Sequence, residues 1–240
     1  MENMINGIEI LASAAIGQIA RLGCATNNIA NVNTPGFKAG LLHFLEGNVA
    51  GGISEGNPIQ KPATAVDYSP GSIRKTDNVL DLAINGEGFF AVQTKDGVAY
   101  TRDGRFTLNK DGELVTLAGD YVLGRGGKII IIGNDIRISQ EGMIRMDGNE
   151  VDALKIVSFR EPSALVRLNT GLYRNPDNLA GAEEKENARV QSGYSELSNV
   201  QIIKEMVEMI NIQRTFESYQ KAIQTISEQD RLSTNRIGKL

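Results

Sequence analysis

Met209, Ile212, Phe216, Tyr219, Ile223 and Ile226 follow one another at intervals of 3, 4, 3, 4 and 3 residues. That is the heptad seam of a helix packed along another helix. Carried forward, the register meets Asp230, Ser233 and Ile237, so the seam weakens towards the end. Ile203, Val207 and Ile210 add a second apolar flank in the first turns. The spacing predicts one helix over 196–238, capped by Ser198 or Asn199. At 1.5 Å per residue about 40 residues span roughly 60 Å, longer than a domain of this size covers with its own core.

The other end of the chain carries a matching pattern. Met1, Met4, Ile8, Leu11, Ala15, Leu22, Ala25, Ile29 and Val32 fall on steps of three and four, with Gln18 interrupting. Gly7, Gly17 and Gly23 each weaken a helix by about 1 kcal/mol relative to Ala, yet allow close helix approach. The sequence NNIANVNTPGFKAG then stops the helix. Asn28, Asn31 and their neighbours compete for backbone hydrogen bonds, Pro35 disfavours helical geometry at Thr34, and Gly36 can take positive φ. Asn28, Asn31, Thr34, Pro35, Gly36 and Phe37 are expected to form a defined corner. A single partner helix of about 30 residues cannot cover both flanks of the C-terminal helix, so the remaining apolar surface is expected to be buried on other chains, in an oligomer or filament.

Between the helices, turn dipeptides recur at Asn85-Gly86, Asp103-Gly104, Asp111-Gly112, Ala118-Gly119, Gly126-Gly127, Glu141-Gly142 and Asp147-Gly148, with short β-branched or aromatic runs between them. Such a rhythm predicts a compact antiparallel β module. The expected fold class is α+β, with paired terminal helices forming a coiled-coil-like segment and an all-β module inserted between them. The expected divisions are an assembly helix over 1–33, an extended connector over 34–75 with one or two short strands within 41–75, a β-rich module over 76–175, a polar connector over 176–195, and a second assembly helix over 196–240.

The formal charge of −4 gives no bulk electrostatic case for a nucleic-acid partner. Residues 1–40 and 196–240 each sum to zero, so the middle carries all of it. One cysteine, Cys24, cannot close an internal disulfide and reads as a small hydrophobe. One histidine, His43, is too few for a zinc site. LGRGGKI over 123–129 is followed by a β run and not by Ser or Thr opening a helix, so it reads as a turn and not a phosphate loop. NKDGE and DGNEVD lack the alternating ligands of a calcium loop. No residue pattern marks an activated nucleophile or a cofactor. No run reaches the length of a membrane span, and MENMINGIE lacks the basic region of a secretory signal.

The corner sequence with its preceding helix closely resembles the N-terminal signature of bacterial flagellar axial proteins of the rod and hook family. DNVLDLAINGEGFFAVQTKDGVAYTRDGRFTLNKDGELVTLAGDYVLG resembles the β domain of that family, and GYSELSNVQIIKEMVEMINIQRTFESYQKAIQTISEQD its C-terminal helix. Three blocks thus occur in the family's order over most of the chain. The resemblance implies a non-enzymatic building block of the basal-body rod, the drive shaft that crosses the periplasm. It would assemble with itself and other rod proteins, and be exported through the flagellar type III apparatus without signal cleavage. It implies no cofactor, no metal and no membrane insertion. The terminal helices would form an inner tube through the seam of Met4, Ile8, Leu11, Leu22, Ile29, Met209, Ile212, Phe216, Tyr219, Ile223 and Ile226, with the β domain outside. The short connector after the corner favours the proximal rod over the distal rod. A free-standing β-rich binding module with helical tails is the alternative from a different class.

Overall fold

The structure, a computed structural model, describes residues 2–47, 59–133, 135–169, 171–185 and 188–237. Contacts divide the chain into two units. The first holds residues 1–30, 40–65 and 201–240, and the second residues 31–39 and 66–200.

The first unit contains two long helices, α1 (Glu2–Ala30) and α2 (Ile202–Ile237), and a two-stranded sheet of β1 (Gly40–Gly47) and β2 (Ile59–Val66). The helices pack on each other. Asn28 at the end of α1 reaches Glu205 at the start of α2, so the pair runs in opposite directions. Ile212 is 3% exposed, and Met209, Phe216, Tyr219, Ile223 and Ile226 are half-buried among mostly exposed neighbours. On α1, Leu11, Leu22 and Ile29 are half-buried and Ala25 is buried. The side chains of Met4 and Ile8 lie outside the described residues.

The second unit is all β. Its strands are β3 (Ile73–Lys75), β4 (Leu82–Asn85), β5 (Phe89–Thr94), β6 (Gly97–Thr101), β7 (Phe106–Leu108), β8 (Leu114–Thr116) and β9 (Tyr121–Val122). They continue with β10 (Ile136–Ile138), β11 (Met143–Met146), β12 (Asn149–Ala153), β13 (Ile156–Phe159), β14 (Val166–Asn169) and β15 (Leu172–Arg174). The last three are β16 (Ala182–Glu184), β17 (Arg189–Ser192) and β18 (Tyr194–Glu196). A nine-stranded antiparallel sheet runs β14-β15-β6-β5-β9-β8-β7, with β13 joining β5 and β16 joining β13. A three-stranded meander, β10-β11-β12, lies in the same unit, and two short pairs, β17-β4 and β18-β3, join its beginning to its end. The main core gathers Leu82, Ile84, Phe90, Val92, Phe106, Leu114, Ile144 and Ile156, each at most 2% exposed. A second cluster stacks Phe89, Tyr173, Tyr68 and Phe159 edge to face, the geometry that aromatic quadrupoles favour.

The expected α+β class, with a helix at each end and an all-β module between, is what the structure has. The first connector, expected to hold one or two short strands, holds three, and the second is structured as well. The stretch 34–75 holds β1, β2 and β3, and 176–195 holds β16, β17 and most of β18. The partners of β17 and β18 are β4 and β3, about a hundred residues earlier in the chain, so no local pattern marks them. The helix expected from residue 196 starts at Ile202, because Glu196 and Asn199 are engaged in the β unit.

Candidate assembly site

The corner is built from its backbone outward. After α1 the chain turns through Thr34, whose N–H donates to Asn31 O at 3.0 Å, and Phe37, whose N–H donates to Thr34 O at 3.2 Å. Thr34 Oγ1 also meets Asn31 Oδ1 at 3.3 Å. Gly36 sits at φ +68°, and a Cβ there would lie 2.3 Å from Asp103 N and 2.5 Å from Arg102 C. Its glycine therefore answers two demands, a left-handed turn and the close passage of the 102–103 backbone. Pro35, Gly36, Phe37, Lys38, Ala39 and Gly40 are all buried.

Within the β unit, the segment after Gly36 is held by charge. Lys38 Nζ donates to Glu196 Oε1 at 2.7 Å and to Ser69 O at 2.7 Å. Arg102 Nη1 pairs with Glu196 Oε2 at 3.5 Å, and Arg102 Nη2 donates to Gly86 O. All three ionic side chains are at most 2% exposed. Burial holds the Lys38 ammonium below the usual lysine range, with Glu196 pulling the other way. Burial likewise lowers the Arg102 guanidinium. For both cations the shift runs in the direction that burial sets, against the pull of Glu196. Arg167 lies over the Phe37 ring, 5.0 Å from its centroid, and donates to Lys38 O. Asn199 Oδ1 accepts from Ala39 N at 2.7 Å, while its amide donates to Asp67 O at 2.9 Å.

In the helical unit, Asn28 is 2% exposed. Its Nδ2 donates to Gly40 O at 3.0 Å and its Oδ1 accepts from Gly40 N at 2.8 Å. The side chain therefore satisfies both polar groups of one backbone residue, as a neighbouring strand would. In the sequence Asn28 reads as part of a helix stop; the structure instead keeps it inside α1 as a clamp on the returning chain.

The sequence reading missed Lys38, Arg102, Arg167, Glu196 and Glu205, and it read Asn199 as a helix cap. A lysine between Phe37 and Ala39 and a glutamate between Ser195 and Leu197 are the faint local signals: single charges inside otherwise uncharged runs. Their partners are 158 residues apart.

The helices carry the other feature. On the first turns of α2, Ile202, Ile203, Met206, Val207 and Ile210 are 38%, 75%, 44%, 53% and 47% exposed. On α1, Ile10, Ile16 and Ile19 are 48%, 62% and 56% exposed. On α2 the exposed Ile203, Val207 and Ile210 lie on a different face from the buried Ile212, whereas on α1 the exposed isoleucines lie on both sides of the stripe that holds Ala25. Among the described residues no group of three or more His, Cys, Asp or Glu side chains could hold a metal ion, and no helix is long and apolar enough to cross a membrane.

Among the described residues the terminal helices leave apolar side chains exposed, and the β unit buries three ionic side chains. Three family models match in order: "Flagella basal body rod protein" over residues 8–38, "Flagellar hook protein FlgE/F/G D1 domain" over 83–146, and "Flagellar basal body rod FlgEFG protein C-terminal" over 191–236. The flagellar basal-body rod protein FlgF of Caulobacter vibrioides is 34% identical, over 99% of this chain and 100% of its own length. The rod protein FlgG of Bacillus subtilis is 34% identical over 87% of this chain and 90% of its own. The hook-basal body complex protein FlhO of the same species is 27% identical over 99% and 100%. The chain belongs to the family of flagellar basal-body rod proteins, which are structural and not enzymes.

Proposed function

We propose that this chain is a subunit of the proximal rod that polymerises through its terminal helices, with itself and with other rod proteins, inside the flagellar basal body. The observation that carries this reading is the flank of Ile203, Val207 and Ile210, at 75%, 53% and 47% exposure on a face away from the buried Ile212. Apolar side chains brought out of water contribute roughly 1.5–3 kcal/mol each, and a repeating assembly gathers that gain at every subunit. The proximal position is supported by the short stretch, residues 40–65, between the corner and the main body of the β unit. The distal rod is the second reading.

Basal bodies isolated from a deletion strain separate the two. The proximal reading expects no rod beyond its earliest portion, restored by the complementing gene. Rods that stop only at their outer end would assign the chain to the distal rod. Export through the flagellar type III apparatus with no leader removed belongs to the same proposal. Intact mass of the protein recovered from basal bodies checks it, and loss of an N-terminal segment would contradict it.

A further inference from the structure

The β unit is joined to itself at its two ends. β3 pairs with β18, placing Ile73 opposite Glu196 and Lys75 opposite Tyr194. β4 pairs with β17 over Leu82–Asn85 and Arg189–Ser192. Gly36 N donates to Glu196 O at 2.9 Å, Leu197 N to Ser72 O at 2.8 Å, and Thr76 N to Gly193 O at 2.8 Å. Glu196 Oε1 accepts from Gly71 N at 2.9 Å as well as from Lys38. The small cluster of Phe37 and Ala39 is completed by Val200. Every one of these contacts needs residues from the last segment of the unit. The backbone pairing of the nine-stranded sheet does not: its strands lie between Phe89 and Glu184, and of the last segment Ala188 and Val190, ahead of residue 193, pack into its core.

The ions sharpen this division. Lys38 and Arg102 are buried, and Glu196 is the carboxylate that pairs with both among the described residues. Without it two cations would be stranded out of water, which chains avoid by keeping the segment open. Contacts between segments so far apart in sequence also form late, because their loop-closure entropy is paid before they return any gain.

We propose that Glu196 is a latch: the corner segment 34–39 docks on the β unit in a separate, final step, when the segment 193–200 arrives with its carboxylate. The nine-stranded sheet forms first and does not depend on it. The latch goes beyond the rod reading and does not require it. One consequence does rest on that reading: a chain delivered from its N-terminus would keep its corner open until residue 196 was through.

Pulse-labelling hydrogen exchange during refolding of the full-length chain, read by mass spectrometry, tests the order. The expected result is early protection of β5 and β6 amides. Gly36, Thr76, Tyr194 and Leu197 then gain protection together, at least fivefold more slowly. In Glu196→Gln the early phase should keep its rate within twofold while the late group loses at least tenfold in protection. A single phase in the parent chain overturns the latch by itself, whether or not the variant folds. In a variant that folds, equal loss in both groups or no loss in either also overturns it.

Discussion

Ile203 and Lys38 break opposite rules. One is an isoleucine left 75% exposed on a helix; the other is a lysine buried completely inside a β unit. Lys38 is tolerated because its own chain supplies Glu196, Ser69 O and a tight backbone cradle. Nothing within the described chain does the same for Ile203 and its neighbours on α2. The β unit therefore pairs its buried lysine internally, whereas the helical unit buries Ile212 and leaves Ile203, Val207 and Ile210 exposed. A rod subunit must keep its shape, which a part with a single closed state provides, and the exposed flank of α2 is the surface proposed above to meet its neighbours.

Breaking the β side of this comparison should have the largest effect. Glu196→Gln strands Lys38 and Arg102, and removing one member of a buried ion group costs about 3–5 kcal/mol. Denaturant unfolding followed by a β-unit probe should show that loss. Gly36→Ala comes next. It adds the strain of a left-handed alanine, about 1–2 kcal/mol, to a collision with the 102–103 backbone that costs about 1–3 kcal/mol. A melt of the variant within error of the parent would mean the corner yields more easily than its 2.3 Å approach implies. Asn28→Ala should cost about 1–3 kcal/mol by leaving the Gly40 backbone groups unsatisfied. Its signature is faster exchange of the Gly40 amide in the helical unit.

The helical side sharpens through a pair of substitutions on one helix. Ile212→Asp places a charge at a position 3% exposed and should unpair α1 from α2, seen as lost helical signal in circular dichroism. Ile203→Asp, at 75% exposure, should leave that signal unchanged and shift stability by no more than about 0.5 kcal/mol.

The difference between the two units also sets what can be read from sequence. The pattern of α2 is local: intervals of three and four carry it, and along it the structure buries Ile212 and half-buries the rest. The turns are local too. Gly112 at φ +77° and Gly148 at φ +87° sit where Asp-Gly dipeptides predict them. The closing contacts are not local. Glu183 and Glu184 lie on an edge strand whose polar face meets solvent, so β16 reads as a linker. Glu196 has no periodicity to betray it, and its partners arrive from residues 38 and 102. Asn199 reads as a helix cap, yet its side chain is spent on Ala39, Asp67 and Ser69. Asn28 reads as a helix breaker, and its role appears only when Gly40 returns beside it.

The most direct test of polymerisation through the exposed helical flank combines Ile203→Asp with Val207→Asp. Two measurements on this variant decide it: the thermal melt of the purified chain, and its abundance in basal bodies from a complemented deletion strain. The account predicts a melt indistinguishable from the parent and no incorporation into the rod. Recovery of the variant in basal bodies at the parental level would contradict it.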